Sequence, residues 1–217
     1  MFSAQGIVKP KRLEFETKTK SEVYGKFFAG PFERGYGVTT GNSLRRMLLS
    51  SIEGAAIVAT KFEGIFHEFS SIPGVVEDAT EIILNLKQVN LKIADEADEK
   101  RIYIKKETPG KIYAKDIASD PQVTVLNPDQ LIATLDNNGK LDMEMIVRKG
   151  RGYVPAEKQK IEGESVQMIP IDSIFSPVEK VCYHIEHTRV GQSTDYDSLV
   201  MEMLTNGGIT PEDAVAH

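Results

Sequence analysis

The chain has 217 residues, 41% hydrophobic and 27% charged, close to globular averages, which excludes wholesale disorder and allows one large domain or two small ones. Its 26 Lys+Arg against 32 Asp+Glu leave a formal charge of −6; the short basic runs at 9–12 and 148–151 do not reverse it, so a broad basic coat for nucleic acid is excluded. Cys182 is the single cysteine, which rules out a disulfide within the chain and fits a reducing cytoplasm, and no segment reads as a membrane span or as the apolar core of a signal peptide.

Leu13, Phe15 and Thr17 alternate with Arg12, Glu14, Glu16 and Lys18, the pattern of a half-buried strand. A second strand is predicted over 23–28, pairing with the first as a hairpin and broken by Gly30-Pro31. The glycine-rich stretch 33–41 reads as a turn that opens a helix over about 42–53. On that helix Leu44, Met47, Leu48 and Ile52 form one stripe, the spacing of a buried face. Asn42, Arg46, Leu49 and Glu53 form a second stripe on roughly the opposite side. Two ordered faces on one helix suggest a helix lying between two layers.

The texture changes at Gly54. Strands are predicted over 55–62 and 65–69, then a turn at Pro73-Gly74. Over 77–90 the positions Ala79, Ile82, Ile83, Leu86 and Val89 recur at helical spacing, with acids first and Lys87 near the end, as the helix dipole favours. Short strands follow at 91–94, 101–105, 123–126 and 131–135. The turn residues 136–139 predict a hairpin into a strand carrying Leu141, Met143, Met145 and Val147 on one face. The polar stretch 148–167 reads as an exposed loop.

After Ser176-Pro177 a strand resumes, with Val181, Tyr183 and Ile185 on one face and Cys182, His184 and Glu186 on the other. Its partner is predicted over 199–204, and Asn206-Gly207-Gly208 turns the chain. Thr210, Pro211, Glu212 and Asp213 then announce a helix: an N-cap threonine, a proline at the first position and two acids in the first turn. His217 comes so soon afterwards that the chain reads as stopping inside that helix.

Residue chemistry disfavours three enzymatic or ligand-binding readings. Gly35-x-Gly37-x-x-x-Gly41 has one residue too many for a dinucleotide fingerprint, and Asn42 stands where a phosphate loop needs its lysine. Cys182, His184 and His187 lie within six residues, but strand geometry puts His187 on the other face from Cys182 and His184. His67-Glu68 lacks the context of a zinc-protease helix, and no nucleophile motif occurs. An interaction surface remains, for which Arg46 is the candidate anchor, since arginine is enriched in interface hot spots; composition alone favours a plain solvated charge there.

The run Phe32-Glu33-Arg34-Gly35-Tyr36-Gly37-Val38-Thr39-Thr40-Gly41-Asn42-Ser43-Leu44-Arg45-Arg46-Met47-Leu48-Leu49-Ser50-Ser51 closely resembles the signature of the amino-terminal domain of bacterial RNA polymerase alpha subunits. Further landmarks follow in the family's order: Phe66-His67-Glu68-Phe69, Gly74-Val75-Val76-Glu77-Asp78, Ile83-Leu84-Asn85-Leu86-Lys87, Arg148 through Ala156, Ser176-Pro177-Val178-Glu179 and Asn206 through Glu212. The resemblance implies an α+β fold of two subdomains. A dimerisation subdomain combines 1–53 and 179–217, with its last helix truncated, and a mainly β subdomain of 54–178 is inserted between them.

It also implies roles. Tyr36, Leu44, Met47, Leu48 and Ile52 would serve core and dimer packing; Arg46, Leu49, His67, Glu68, Glu77, Asp78 and Lys87 would meet the beta or beta-prime subunits. The implied function is scaffolding: a homodimer of alphas on which beta and then beta-prime assemble in the cytoplasm. No cofactor is expected in this chain, magnesium belonging to the catalytic subunits, and no DNA is contacted by this region. Two alternatives stay open: the equivalent assembly subunit of an archaeal-type or organellar polymerase, and a nucleotide-binding enzyme using the Gly35–Gly41 loop.

Overall fold

The computed structural model describes residues 10, 13–65, 67–94, 97–118, 120–159, 168–190 and 193–217. In chain order the elements begin with β1 (Leu13–Phe15), β2 (Tyr24–Glu33), α1 (Tyr36–Ser50), β3 (Glu53–Phe62), α2 (Ala79–Leu86), β4 (Leu91–Ile93) and β5 (Glu99–Lys106). There follow β6 (Gly110–Tyr113), β7 (Val123–Val125), β8 (Leu131–Leu135), β9 (Leu141–Arg151) and β10 (Tyr153–Val154). The chain closes with β11 (Ile169–Pro170), β12 (Ser173–Ile174), β13 (Val178–Val190), β14 (Ser193–Thr205) and α3 (Pro211–Ala216). The fold is α+β and divides into two compact units, Met1–Ile52 with Pro177–His217, and Glu53–Ser176. The sequence-based boundaries lie one or two residues later.

The discontinuous unit is built on an antiparallel sheet in the order β1-β2-β14-β13. β1 pairs with β2 as predicted, but Gly30-Pro31 does not end β2. It sits opposite Ser198, where the register steps from Ala29↔Leu199 to Phe32↔Asp197. Two residues of β2 thus face one of β14, a bulge, which is where a strand tolerates a proline without an N–H. The extra residue also switches parity, so that Phe27, Ala29 and Phe32 all face the same core. Leu199, Met201 and Met203 of β14 and Val181 of β13 belong to that face, and α1 lies on it through Leu48, with Ile52 buried there just past the helix end.

The expected boundary of α1 is corrected by six residues. The helix starts at Tyr36, so most of the glycine-rich stretch is helical. A Cβ on Gly37 would lie 3.0 Å from Asp197 Cβ and from Ile185 Cδ1, and one on Gly41 2.6 Å from Tyr183 Cδ2 and 2.8 Å from Leu199 Cδ1. Glycine costs about 1 kcal/mol in a helix interior, and here close helix–sheet contact offsets that cost.

The inserted unit has a six-stranded sheet, β5-β9-β3-β4-β7 with β11 also pairing β3, and two small sheets, β6-β8 and β10-β12. Leu141, Met143, Met145 and Val147 are buried on one face of β9, as their alternation predicts. Ile146 is buried on the other face with Val58, Ala59 and Phe175. The predicted hairpin into β9 is not formed. The turn is present, with Gly139 N donating to Asp136 O at 2.9 Å, but β8 pairs β6 while β9 lies between β3 and β5.

Three further expectations are revised. Residues 67–69 are turn and bend rather than strand, and Phe66 lies outside the described residues. The helix expected over 77–90 is α2 alone, started by Asp78, whose carboxylate accepts from Glu81 N at 2.7 Å in a capping box. In 148–167, expected as a loop, β9 continues to Arg151 and β10 follows, while 160–167 lie outside the described residues.

Candidate interaction surfaces

α1 presents two flanks beside its sheet-facing side. Tyr36, Ser43 and Met47, spaced by seven and four, share one flank; Val38, Asn42, Arg46 and Leu49, spaced by four, four and three, share the other. Large apolar side chains are left in solvent on both: Tyr36, Val38 and Met47, the last 59% exposed. Met47 therefore leaves the core stripe expected for it, whereas Leu48 and Ile52 are buried and Leu44 is partly so. Leu49 also departs from expectation, since it packs partly against the core instead of pointing away from it. Arg46 is exposed, and its neighbour Arg45 is engaged, Nε donating to the Val181 carbonyl at 3.1 Å.

The candidate residues of the inserted unit gather around α2, and most have work within the fold. Glu77 accepts from Thr134 N at 2.6 Å and from Thr134 Oγ1 at 2.9 Å, which fastens the approach to α2 onto β8. Asp78 is the helix cap. Lys87 donates to both carboxylate oxygens of Asp172 at 2.7 Å. That hydrogen bond and charge hold the Asp172 carboxyl below the usual carboxylate range against a partial desolvation, and the Tyr153 hydroxyl approaches at 3.4 Å. His67 and Glu68 are exposed: Ser70 Oγ lies 3.0 Å from His67 Nδ1, and the Glu68 carbonyl accepts from Thr80 Oγ1 at 2.8 Å.

Residue-level reading overlooked three exposed apolar side chains in this region: Phe69 (80% exposed), Val76 (71%) and Leu84 (53%). The Thr80–Glu68 bond lays the segment carrying Phe69 across the first turn of α2, and Leu84 follows Thr80 by one turn. Leu84 was detectable, being the one leucine of the helix outside the Ala79, Ile82, Ile83, Leu86 stripe. Phe69 was hidden by its assignment to a strand.

The nucleotide-loop alternative meets a direct obstacle. The buried Asp197 carboxylate accepts from Gly35 N at 2.8 Å and abuts Gly37, so a negative group already occupies the amino end of α1, where a phosphate would have to bind. The Cys182 cluster does not converge either: Cys182 is exposed, His184 Nε2 lies 3.3 Å from Glu186 Oε1, and no metal-holding group of three is found among the described residues. No helix among the described residues is long and apolar enough to cross a membrane.

Comparison with known proteins supplies what geometry cannot. A family described as RNA polymerase Rpb3/RpoA insert domain matches residues 57–176, more than half of the chain. The chain is 53% identical to the DNA-directed RNA polymerase subunit alpha of Geobacter metallireducens, over 97% of this chain and 62% of that protein. It is 55% identical to the subunit of the same name from Alkaliphilus metalliredigens (96% and 65%) and 52% identical to that of Leptospira biflexa (98% and 66%). The chain thus spans just under two thirds of the length of these curated relatives.

Proposed function

Since the chain belongs to the family of bacterial RNA polymerase alpha subunits, we propose that it is an assembly scaffold for transcription, pairing with a second alpha and then gathering beta and beta-prime. One observation carries this reading. α1 lies close against its sheet through glycines on one side while it holds Tyr36, Val38, Met47 and Arg46 out to solvent on its flanks. Exposed aromatic, methionine and arginine side chains on a rigid element are the composition of a protein interface.

On this reading the roles divide as follows. Leu44 and Leu48, with Ile52 just past the helix, pack inward, leaving Tyr36 and Met47 for the second alpha. Arg46 with the outer edge of Leu49 faces beta. Glu77, Asp78 and Lys87 hold the α2 region in shape, so that His67, Glu68 and their apolar neighbours meet a large subunit. Nucleotidyl transfer and its magnesium lie in the catalytic subunits, and this chain works in the cytoplasm without a cofactor and away from DNA. The bacterial relatives favour this over an archaeal-type or organellar assembly subunit.

Arg46→Ala tests the reading, because it removes an exposed side chain and leaves the core untouched. The variant is expected to keep the wild-type melting temperature and to capture purified beta about tenfold less well, a change of roughly 1.4 kcal/mol. Unchanged capture in a titrated pull-down would remove Arg46 from the beta contact.

A further inference from the structure

We propose that Asp197 is a positioning residue: it sets where α1 sits along its sheet and thereby where Arg46 is presented. The inference rests on the reading of α1 as a subunit-contact helix, and its observations come from three places. First, α1 lacks a cap of its own. Gly35 stands at the N-cap position with φ +89 and no side chain with which to cap the first turn. Second, the acceptor comes from 162 positions away: Asp197 Oδ2 receives the Gly35 N–H at 2.8 Å, and Asp197 is only 4% exposed, on the strand β14 at the centre of the sheet's pairing. Third, the first half of α1 meets the sheet through glycines and not through large side chains. Gly37 and Gly41 lie flat on Asp197, Ile185, Tyr183 and Leu199.

A row of glycines gives close approach but no knob to stop a helix from sliding along its axis. Further along, Leu44 and Leu48 border a small apolar cavity, which leaves their side chains room to follow a slight axial shift. Arg45 bonds to the Val181 carbonyl through a long flexible side chain, which follows a small shift without breaking. That leaves the Asp197–Gly35 bond as the short, buried and directional contact that fixes the axial position. A slip by one residue moves the whole flank that carries Val38, Asn42 and Arg46 about 1.5 Å along the axis, a displacement of the entire presented surface and not of one side chain.

The chain's own Cys182, exposed on the sheet, allows the position of α1 to be measured directly. Asn42→Cys adds a second label on an exposed turn of α1, and the distance between two spin labels is read in the absence of beta, with unlabelled chain in excess so that only pairs within one chain contribute. Asp197→Ala is expected to shift or broaden that distance by more than about 1.5 Å and to lower beta capture about tenfold, while Asp197→Asn, which keeps an acceptor oxygen, restores both. If Asp197→Ala yields too little folded chain, Asp197→Ser, whose hydroxyl stops short of the Gly35 N–H, carries the same expectation. A wild-type distance in the folded Ala or Ser variant overturns the proposal. A shifted distance with unchanged capture in both this variant and Arg46→Ala sustains the positioning role of Asp197 and removes α1 from the beta contact instead.

Discussion

Gly139→Ala will be among the most damaging single substitutions in the inserted unit, costing about 3 kcal/mol or more. A Cβ built at Gly139 lies 1.9 Å from the Gly74 carbonyl oxygen and 2.8 Å from its carbon. Both atoms are backbone, so no side chain can rotate out of the way. Gly74 cannot retreat, because its carbonyl also accepts from Asp136 N at 2.9 Å, within the turn that Gly139 closes by donating to Asp136 O. The reverse substitution, Gly74→Ala, meets the Gly139 Cα at 2.4 Å and adds the penalty of a left-handed backbone at φ +76. Gly64→Ala separates the two effects: Gly64 has nearly the same φ, +78, and nothing within 4 Å, so its cost should be only about 1–2 kcal/mol. Urea unfolding of the three variants checks this. Equal costs for Gly64 and Gly139 would show that the two turns do not dock as described.

Gly41→Val will have a comparable effect in the discontinuous unit, and it will act on function as well as stability. The first methyl position already meets Tyr183 Cδ2 at 2.6 Å and Leu199 Cδ1 at 2.8 Å. Overpacking of this kind costs typically ~1–3 kcal/mol, whereas leaving glycine in a helix regains less than ~1 kcal/mol, so the clash decides the sign. Tyr183 is partly exposed and can give way to a single methyl; it cannot give way to the three carbons of valine without lifting α1. The expected result is a lower midpoint in chemical denaturation, with dimerisation and beta capture lost together because both flanks of the helix are displaced. A Gly41→Val chain as stable as the wild type would show that α1 does not lie on the sheet through this glycine.

The strands of the discontinuous unit are legible from alternation: Val181, Tyr183 and Ile185 face inward while Cys182, His184 and Glu186 face solvent, and Thr210 caps α3. Local pattern suffices wherever one face is buried and the other wet. It fails where the deciding partner is distant. The glycines of α1 read as a loop because their compensation lies in Asp197, Ile185, Tyr183 and Leu199, far along the chain. Gly30-Pro31 reads as a break because a bulge is a property of the pair of strands, visible only once Ser198 lies opposite. The turn at 136–139 carries the right residues, but which strands it joins into one sheet is settled by tertiary pairing.

The candidate site divides in the same way. Arg46 was identifiable as an exposed residue on a helix with two ordered faces. The internal duties of Glu77 and Lys87 were not, since Thr134 and Asp172 lie 57 and 85 positions away. Met47, placed in the core by its spacing, is outside it because the sheet-facing side of α1 is centred on Gly37, Gly41 and Leu48.

Mass measurement in solution, on the chain mixed with purified beta, tests the scaffold reading most directly. The predicted result is a complex whose mass corresponds to two copies of the chain with one beta, reduced in yield by Arg46→Ala and lost with Gly41→Val. Beta and the chain sedimenting as separate species at micromolar concentration, with the chain folded, would contradict it.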